Sequence, residues 1–574
     1  MVRAEQGSVR GASTRLRATV VFLSAGAMLM LTVDAWGQDR GQTRSMVISK
    51  GGIVASESPL ASQAGVRILE SGGNAVDAAI ATNAMMGVVE PMMNGIGGDL
   101  FVIVYDAKAN KLYGLNASGW APKGLTIEFL HKQGLRDMPQ TGVHSITVPG
   151  VVDGWQKLAD KFGRKKLKED LAVAIRTAQD GFPVPEWVAA YWATEGDLLR
   201  TDDAATSLYL PGDHAPKVGD VFKNPDLAAS LGQIAERGRD AFYKGEISQK
   251  ILDAEKRHNG TMTEKDLAEY SSEWVEPIST TYRDWTVYEM PPNGQGIGAL
   301  EMLNIMEKFP LGEKDSGFGS TKALHTMIEA KKLAYADVAR YLADPRGQKI
   351  PVATLLSKAW AAERANLIDA DKAACDIAAG EIAGGSDTTY LSVVDRDGNM
   401  VSLIQSNYAA FGSGIVPSGA GFVLHNRGGL FTLDPVSPNA LAGHKRPRHT
   451  IIPGFAQKGD TRMAFGIMGG WNQAQAHAQF IANIADFKMN IQAAVEAPRF
   501  TKYTFAGCDV EMENRFNGKV RDELTAKGHQ IKVLGTFSSR VGGGQAVLRD
   551  FAIRVNYGAS DPRKDGQAVA ELPF

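Results

Sequence analysis

A threonine pair, Thr388-Thr389, stands where the chain changes character. The stretch before it, DKAACDIAAGEIAGGSD, is rich in Ala and Gly and poor in core-forming side chains. Residues 370–387 therefore read as an exposed, mobile linker. After it, TTYLSVVD (388–395) reads as a strand, Arg396-Asp397-Gly398-Asn399 as a tight turn and MVSLIQSN (400–407) as the return strand. An accessible peptide bond joined to a rigid strand is what a self-cleaving precursor needs. A threonine hydroxyl is a weak nucleophile and requires a base. Cutting between Asp387 and Thr388 would give Thr388 a free α-amine, whose reference pKa of about 7.7–8.0 suits a general base near neutrality. The same hydroxyl would make the cut, by attacking the Asp387 carbonyl to form an ester that water opens. By position alone, a threonine at a strand start also reads as an ordinary strand residue.

Such a site needs no catalytic histidine, and no Gly-x-Ser-x-Gly elbow occurs. His325, His425, His444 and His449 lack ligand spacing and read as surface or packing residues, so no metal and no organic cofactor is implied. Cys375 and Cys508 are the only cysteines. They either pair, in an oxidising compartment, or remain buried thiols; spacing leaves both open.

The elements that must position this chemistry follow from local patterns. Met46-Val47-Ile48 reads as a strand, after a polar leader at 38–46. A helix starts near Leu60 and ends at Gly72-Gly73. Asn74 is placed to cap the next helix, with Asp77 in its first turn. A long amphipathic helix runs near Leu324–Leu342, with Leu324, Met327, Ile328, Tyr335, Val338 and Leu342 on one face and Pro345 beyond its end.

The 574 residues allow two or three domains or one large enzyme body. A composition 44% hydrophobic and 22% charged is that of a globular protein, and a net charge of -2 argues against nucleic acid or anionic membrane as partner. Arg3, Arg10, Arg15 and Arg17, then the apolar run Ala18–Val33 and the small residues of Ala35-Trp36-Gly37, read as a signal peptide over 1–37. Export to the periplasm or beyond is expected, with no membrane attachment after signal removal.

From about residue 46 to 570 the chain resembles the gamma-glutamyltransferases. The matching stretches include Gly72–Ala78, Asn94-Gly95-Ile96-Gly97-Gly98-Asp99, Ser145–Gly150, Asp387-Thr388-Thr389, Lys445-Arg446-Pro447, Ala497-Pro498-Arg499-Phe500 and Gly558–Arg563, in family order. The resemblance implies an α+β Ntn-hydrolase fold, a four-layer αββα sandwich formed by two associated subunits from one precursor. The large subunit would span 38–387 and the small catalytic subunit 388–574. It gives Thr388 the nucleophile's place and Ser406 that of a second threonine that holds it. Gly469 and Gly470 take the place of paired oxyanion glycines, where the missing side chain lets backbone N–H groups approach a tetrahedral intermediate.

The substrate side departs from the pattern. Ser118 replaces the arginine that binds a glutamyl carboxylate, and Leu430 replaces the acid that binds its amine, in a stretch expected to be a strand. His449-Thr450 replaces a serine pair, and Tyr408 replaces an asparagine. Arg427 is a candidate for the carboxylate, or else forms a structural ion pair; the direction of Asp434 is open. Thr432–His444 is shorter than the usual lid, which favours hydrolysis over transfer. The readings are a hydrolase of gamma-glutamyl amides such as glutathione, an acylase or amidohydrolase for glutaryl- or oxamate-like monoamides, and a non-catalytic exported binding module.

Overall fold

The hairpin forms the middle of a seven-stranded antiparallel sheet. Asp387–Val394 pairs with Met400–Tyr408, and Tyr390 opposes Ile404. The order across this sheet is Gln567–Ala570, Ile53–Ser56, Asp387–Val394, Met400–Tyr408, Asp99–Asp106, Lys111–Ala117, Glu273–Val275. The computed structural model describes residues 41–377 and 387–572. The segment 1–37 expected to be a signal peptide, and residues 378–386 of the expected linker, lie outside the described residues. A second seven-stranded sheet runs Val47–Ser49, Val555–Ser560, Gly544–Asp550, Thr461–Ile467, Gly454–Lys458, Trp285–Glu289, Ile278–Tyr282.

Strand side chains alternate between faces, so each strand of the hairpin serves two cores. Tyr390, Val394, Met400 and Ile404 meet Phe455, Ala464 and Val547 of the second sheet. Leu391, Val393, Val401 and Leu403 join the helical layer that includes Ala75–Val89. On the far side of the second sheet, Met463 and Phe465 pack with residues of the helices Gly296–Met306, Thr321–Tyr341 and Gln473–Ala485. The result is the helix–sheet–sheet–helix sandwich.

Local signals explain the ends of these elements. Asn74 closes a capping box: its Oδ1 accepts from Val76 N at 2.9 Å and Asp77 N at 3.1 Å, while its own N–H donates to Asp77 Oδ2 at 2.8 Å. The long helix covers Thr321–Tyr341, and its predicted apolar face is buried. His325, Glu329, Lys331, Lys332 and Asp337 are buried as well, so the helix is enclosed rather than amphipathic. Lys332 Nζ satisfies its charge on Glu329 at 2.7 Å and on the Ala374 carbonyl at 2.9 Å. His325 is not isolated either, since its Nδ1 lies 2.9 Å from His529 Nε2.

Two further readings need correction. Residues 370–377 are tied down: Cys375 and Cys508 form a disulfide, and Ala373 N–H donates to the Lys527 carbonyl at 2.8 Å. The segment expected as a strand at His425–Phe431 is irregular backbone and then a single 3₁₀ turn, Arg427–Leu430. Among the described residues no helix is long and apolar enough to cross a membrane.

Candidate active site

Thr388 sits at a slip in the hairpin. Asp387 opposes Tyr408 but Thr389 opposes Gln405, so Thr388 faces both Ser406 and Asn407. Such a bulge re-aims side chains out of the regular ladder. Here it brings the Thr388 hydroxyl to donate to Ser406 Oγ at 3.1 Å. The Tyr408 N–H donates to the same oxygen at 2.7 Å. Both hydroxyl-bearing residues are fully buried in the continuous chain.

The neighbouring strand explains the glycine-rich motif before it. Asp99 pairs with Ser406, and a Cβ on Gly98 would lie 2.5 Å from the Ser406 carbonyl oxygen. Only glycine lets the loop approach this closely and still deliver Asp99. At the end of the strand Thr461–Ile467, Gly469 and Gly470 take positive φ of 125° and 57°. Gln295 Nε2 donates to the Gly470 carbonyl at 2.7 Å and to the Thr450 carbonyl at 2.6 Å, which pins this turn. Among the described residues neither glycine N–H donates within the chain, which leaves two backbone donors for a ligand oxygen.

Asp99 is the hub of a buried network. Arg427 Nε and Nη2 grip its two oxygens at 2.8 and 3.2 Å, and Arg427 Nη1 donates to Thr450 Oγ1 at 2.8 Å. Burial pushes the Asp99 carboxyl up, but Arg427 and His449 together hold it well below its ordinary value. His449 Nε2 lies 2.6 Å from Asp99 Oδ2, while the Ile451 N–H donates to His449 Nδ1 at 3.3 Å. A backbone donor at Nδ1 assigns the proton to Nε2 and leaves the ring neutral. Burial, with Arg427 close by, lowers the His449 pKa to about 4. His425 completes the cluster, its Nε2 bound to Thr147 and its Nδ1 3.4 Å from Asp99.

The sequence-derived substrate residues thus divide. Arg427, His449 and Thr450 come together around Asp99. Tyr408 joins them, with the Arg427 guanidinium 4.7 Å from its ring centre. Ser118 belongs to a separate knot: its hydroxyl donates to Asn116 Oδ1 at 2.9 Å and accepts from Asn293 Nδ2 at 3.2 Å. Leu430 is buried in an apolar cluster with Tyr408, Ile452 and Trp471. Sequence reasoning missed Asp99, His425 and Gln295. The signal for Asp99 was its place beside Gly98 at the head of a buried strand. A cavity of about 900 Å³ lined by Leu208, His214, Phe222 and Val416 contains none of these residues.

Residues 61–571 match the model of the Gamma-glutamyltranspeptidase family. The chain belongs to this family. Its Ntn-hydrolase fold and its standing as an enzyme of that type follow. The chain is 37% identical to the glutathione hydrolase-like YwrD proenzyme of Bacillus subtilis (strain 168), over 91% of this chain and 99% of that one. It is 36% identical to the acylase ACY 1 proenzyme of Pseudomonas sp. (strain SE83), over 90% and 93%. Among solved structures, cephalosporin acylase from Bacillus halodurans superposes with a TM-score of 0.87 at 41% identity, covering 95% of this chain and all of that one.

Proposed function

We propose that this protein is a self-activating amide hydrolase with Thr388 as nucleophile, acting on acyl groups that carry one carboxylate, such as glutaryl- or oxamate-like monoamides. The observation that carries the substrate reading is the pair Ser118 and Leu430. A zwitterionic glutamyl end needs a cation for its carboxylate and an anion for its amine. Ser118 spends its hydroxyl on Asn116 and Asn293, and Leu430 is 2% exposed among apolar side chains. The acylase relatives support the same reading.

The chemistry runs on few groups. Attack of Thr388 Oγ on the Asp387 carbonyl, followed by water, frees the Thr388 amine. That amine takes the Oγ proton as Oγ attacks the substrate amide carbon. Ser406 fixes the Thr388 hydroxyl, and the Gly469 and Gly470 N–H groups receive the developing oxyanion; loss of one such donor costs about 10²–10³ in rate. The protonated amine returns its proton to the leaving nitrogen, and water then opens the Thr388 ester. The short Thr432–His444 segment favours water over an acceptor amine. The disulfide and the basic-then-apolar N-terminus support an exported enzyme.

A second reading, hydrolysis of gamma-glutamyl amides, is favoured by the likeness to the glutathione hydrolase-like relative. Intact mass and p-nitroanilide assays decide. Wild type is expected as two fragments, the smaller starting at Thr388, with glutaryl anilide cleaved faster than gamma-glutamyl anilide. Thr388→Ala is expected uncut and inert. An uncut wild type sinks the mechanism; a gamma-glutamyl preference sinks the substrate reading.

A further inference from the structure

Arg448 is buried to 9% exposure, yet among the described residues its side chain donates no hydrogen bond and meets no carboxylate. Its backbone N–H is satisfied by Asn439 Oδ1 at 2.9 Å, while its side-chain Nε is buried with no hydrogen-bond partner. Burial lowers its pKa to about 10, and Tyr408 only partly offsets this. A buried cation without a partner is costly, by several kcal/mol for an ion taken out of water. A protein keeps one where a ligand completes it.

The surroundings say which ligand. The Trp471 ring centre lies 6.0 Å from the guanidinium carbon. The Tyr408 hydroxyl, buried, has no hydrogen-bond partner either. Leu430 and Ile452 share the apolar cluster of Tyr408 and Trp471. This group borders the candidate chemistry on two sides: Tyr408 opposes Asp387 across the hairpin, and Trp471 directly follows Gly470. An unpaired planar fork, an unpaired hydroxyl and an apolar lining fit a hydrocarbon acyl chain that ends in one carboxylate. The group supplies no carboxylate for an ammonium, and the Arg448 charge opposes one.

We propose that Arg448, assisted by the Tyr408 hydroxyl, binds the terminal carboxylate of the acyl group and sets acyl specificity. Arg427, the arginine singled out by sequence, already has its carboxylate in Asp99. The proposal rests on the acyl-hydrolase reading above.

The test compares kcat/KM of the processed enzyme on glutaryl, pentanoyl and gamma-glutamyl p-nitroanilides. In Arg448→Met the glutaryl-to-pentanoyl ratio is expected to fall about 100-fold, mostly through KM, as for loss of a charged hydrogen-bonded pair. Arg448→Lys is expected to restore part of the ratio, and Tyr408→Phe to lower it about fivefold. An unchanged ratio in Arg448→Met overturns the proposal. So does failure of Arg448→Met and Arg448→Lys to cut themselves, which would assign the cation to the precursor. If wild type prefers gamma-glutamyl anilide, and Arg448→Met loses about 100-fold on it, the acyl-hydrolase reading falls while the carboxylate role of Arg448 stands. A wild type that cleaves none of the three overturns both.

Discussion

Two buried arginines neighbour Tyr408, and their surroundings are opposite. Arg427 is saturated: Asp99 takes one edge of its fork, Thr450 another nitrogen, and Tyr408 lies against it. Arg448 has a backbone contact and an aromatic neighbour, but no anion among the described residues. The difference separates two tasks that a sequence motif merges. A cation already matched by protein stabilises a shape, and one left unmatched is available to a substrate.

Substitution can break that comparison or sharpen it. The largest stability effect is expected from Arg427→Met, which strands a buried Asp99 charge. Removing one partner of a buried pair costs about 3–5 kcal/mol, and the urea unfolding midpoint of the variant should drop accordingly. Next comes pH. Folded His449 takes its proton near pH 4, whereas the unfolded imidazole takes one near 6.5. In that window the unfolded chain binds more protons, so stability falls as pH drops through it, by on the order of 3 kcal/mol. Asp99 works in a different range: with its carboxyl held below 3.8, its contribution is intact above that pH and is lost only further down. Urea midpoints from pH 7 to 4.5 should slope less steeply in His449→Asn than in wild type. The smallest effect is expected from Arg448→Met, a stability change within about 1 kcal/mol or a gain, because no anion is orphaned. If Arg448→Met unfolds as readily as Arg427→Met, the two arginines do not differ in kind.

Features written in consecutive residues were legible in advance. The hairpin around Gly398, the Asn74 capping box and the long helix ending near Leu342 all depend on local spacing. The hydroxyl pair Thr388–Ser406 was reachable through the resemblance, since both sit on one hairpin. What failed to show depends on distant partners. Nothing near Asp99 in sequence announces that Arg427 and His449 return to it. The buried polar side of Thr321–Tyr341 looked solvent-facing because its partners, Ala374 and His529, arrive from later segments. The His425–Phe431 stretch is expected to be a strand through the family resemblance; it is irregular backbone with a 3₁₀ turn, and its Arg427 pairs with Asp99. The difference between Arg427 and Arg448 is invisible in sequence, because it lies in which distant groups each one meets.

Under the proposed cut before Thr388, the bond between Cys375 and Cys508 would acquire a different meaning. In the uncut chain it closes a ring within one molecule, with its cysteines 133 positions apart. After such a cut one sulfur would belong to each fragment, and the disulfide would be the only covalent tie between them, since the chain has no other cysteine. Partners held by contacts alone separate on dilution, because their stability depends on concentration. Tethered partners stay together at any dilution, and a reductant, rather than volume, becomes the agent that can part them.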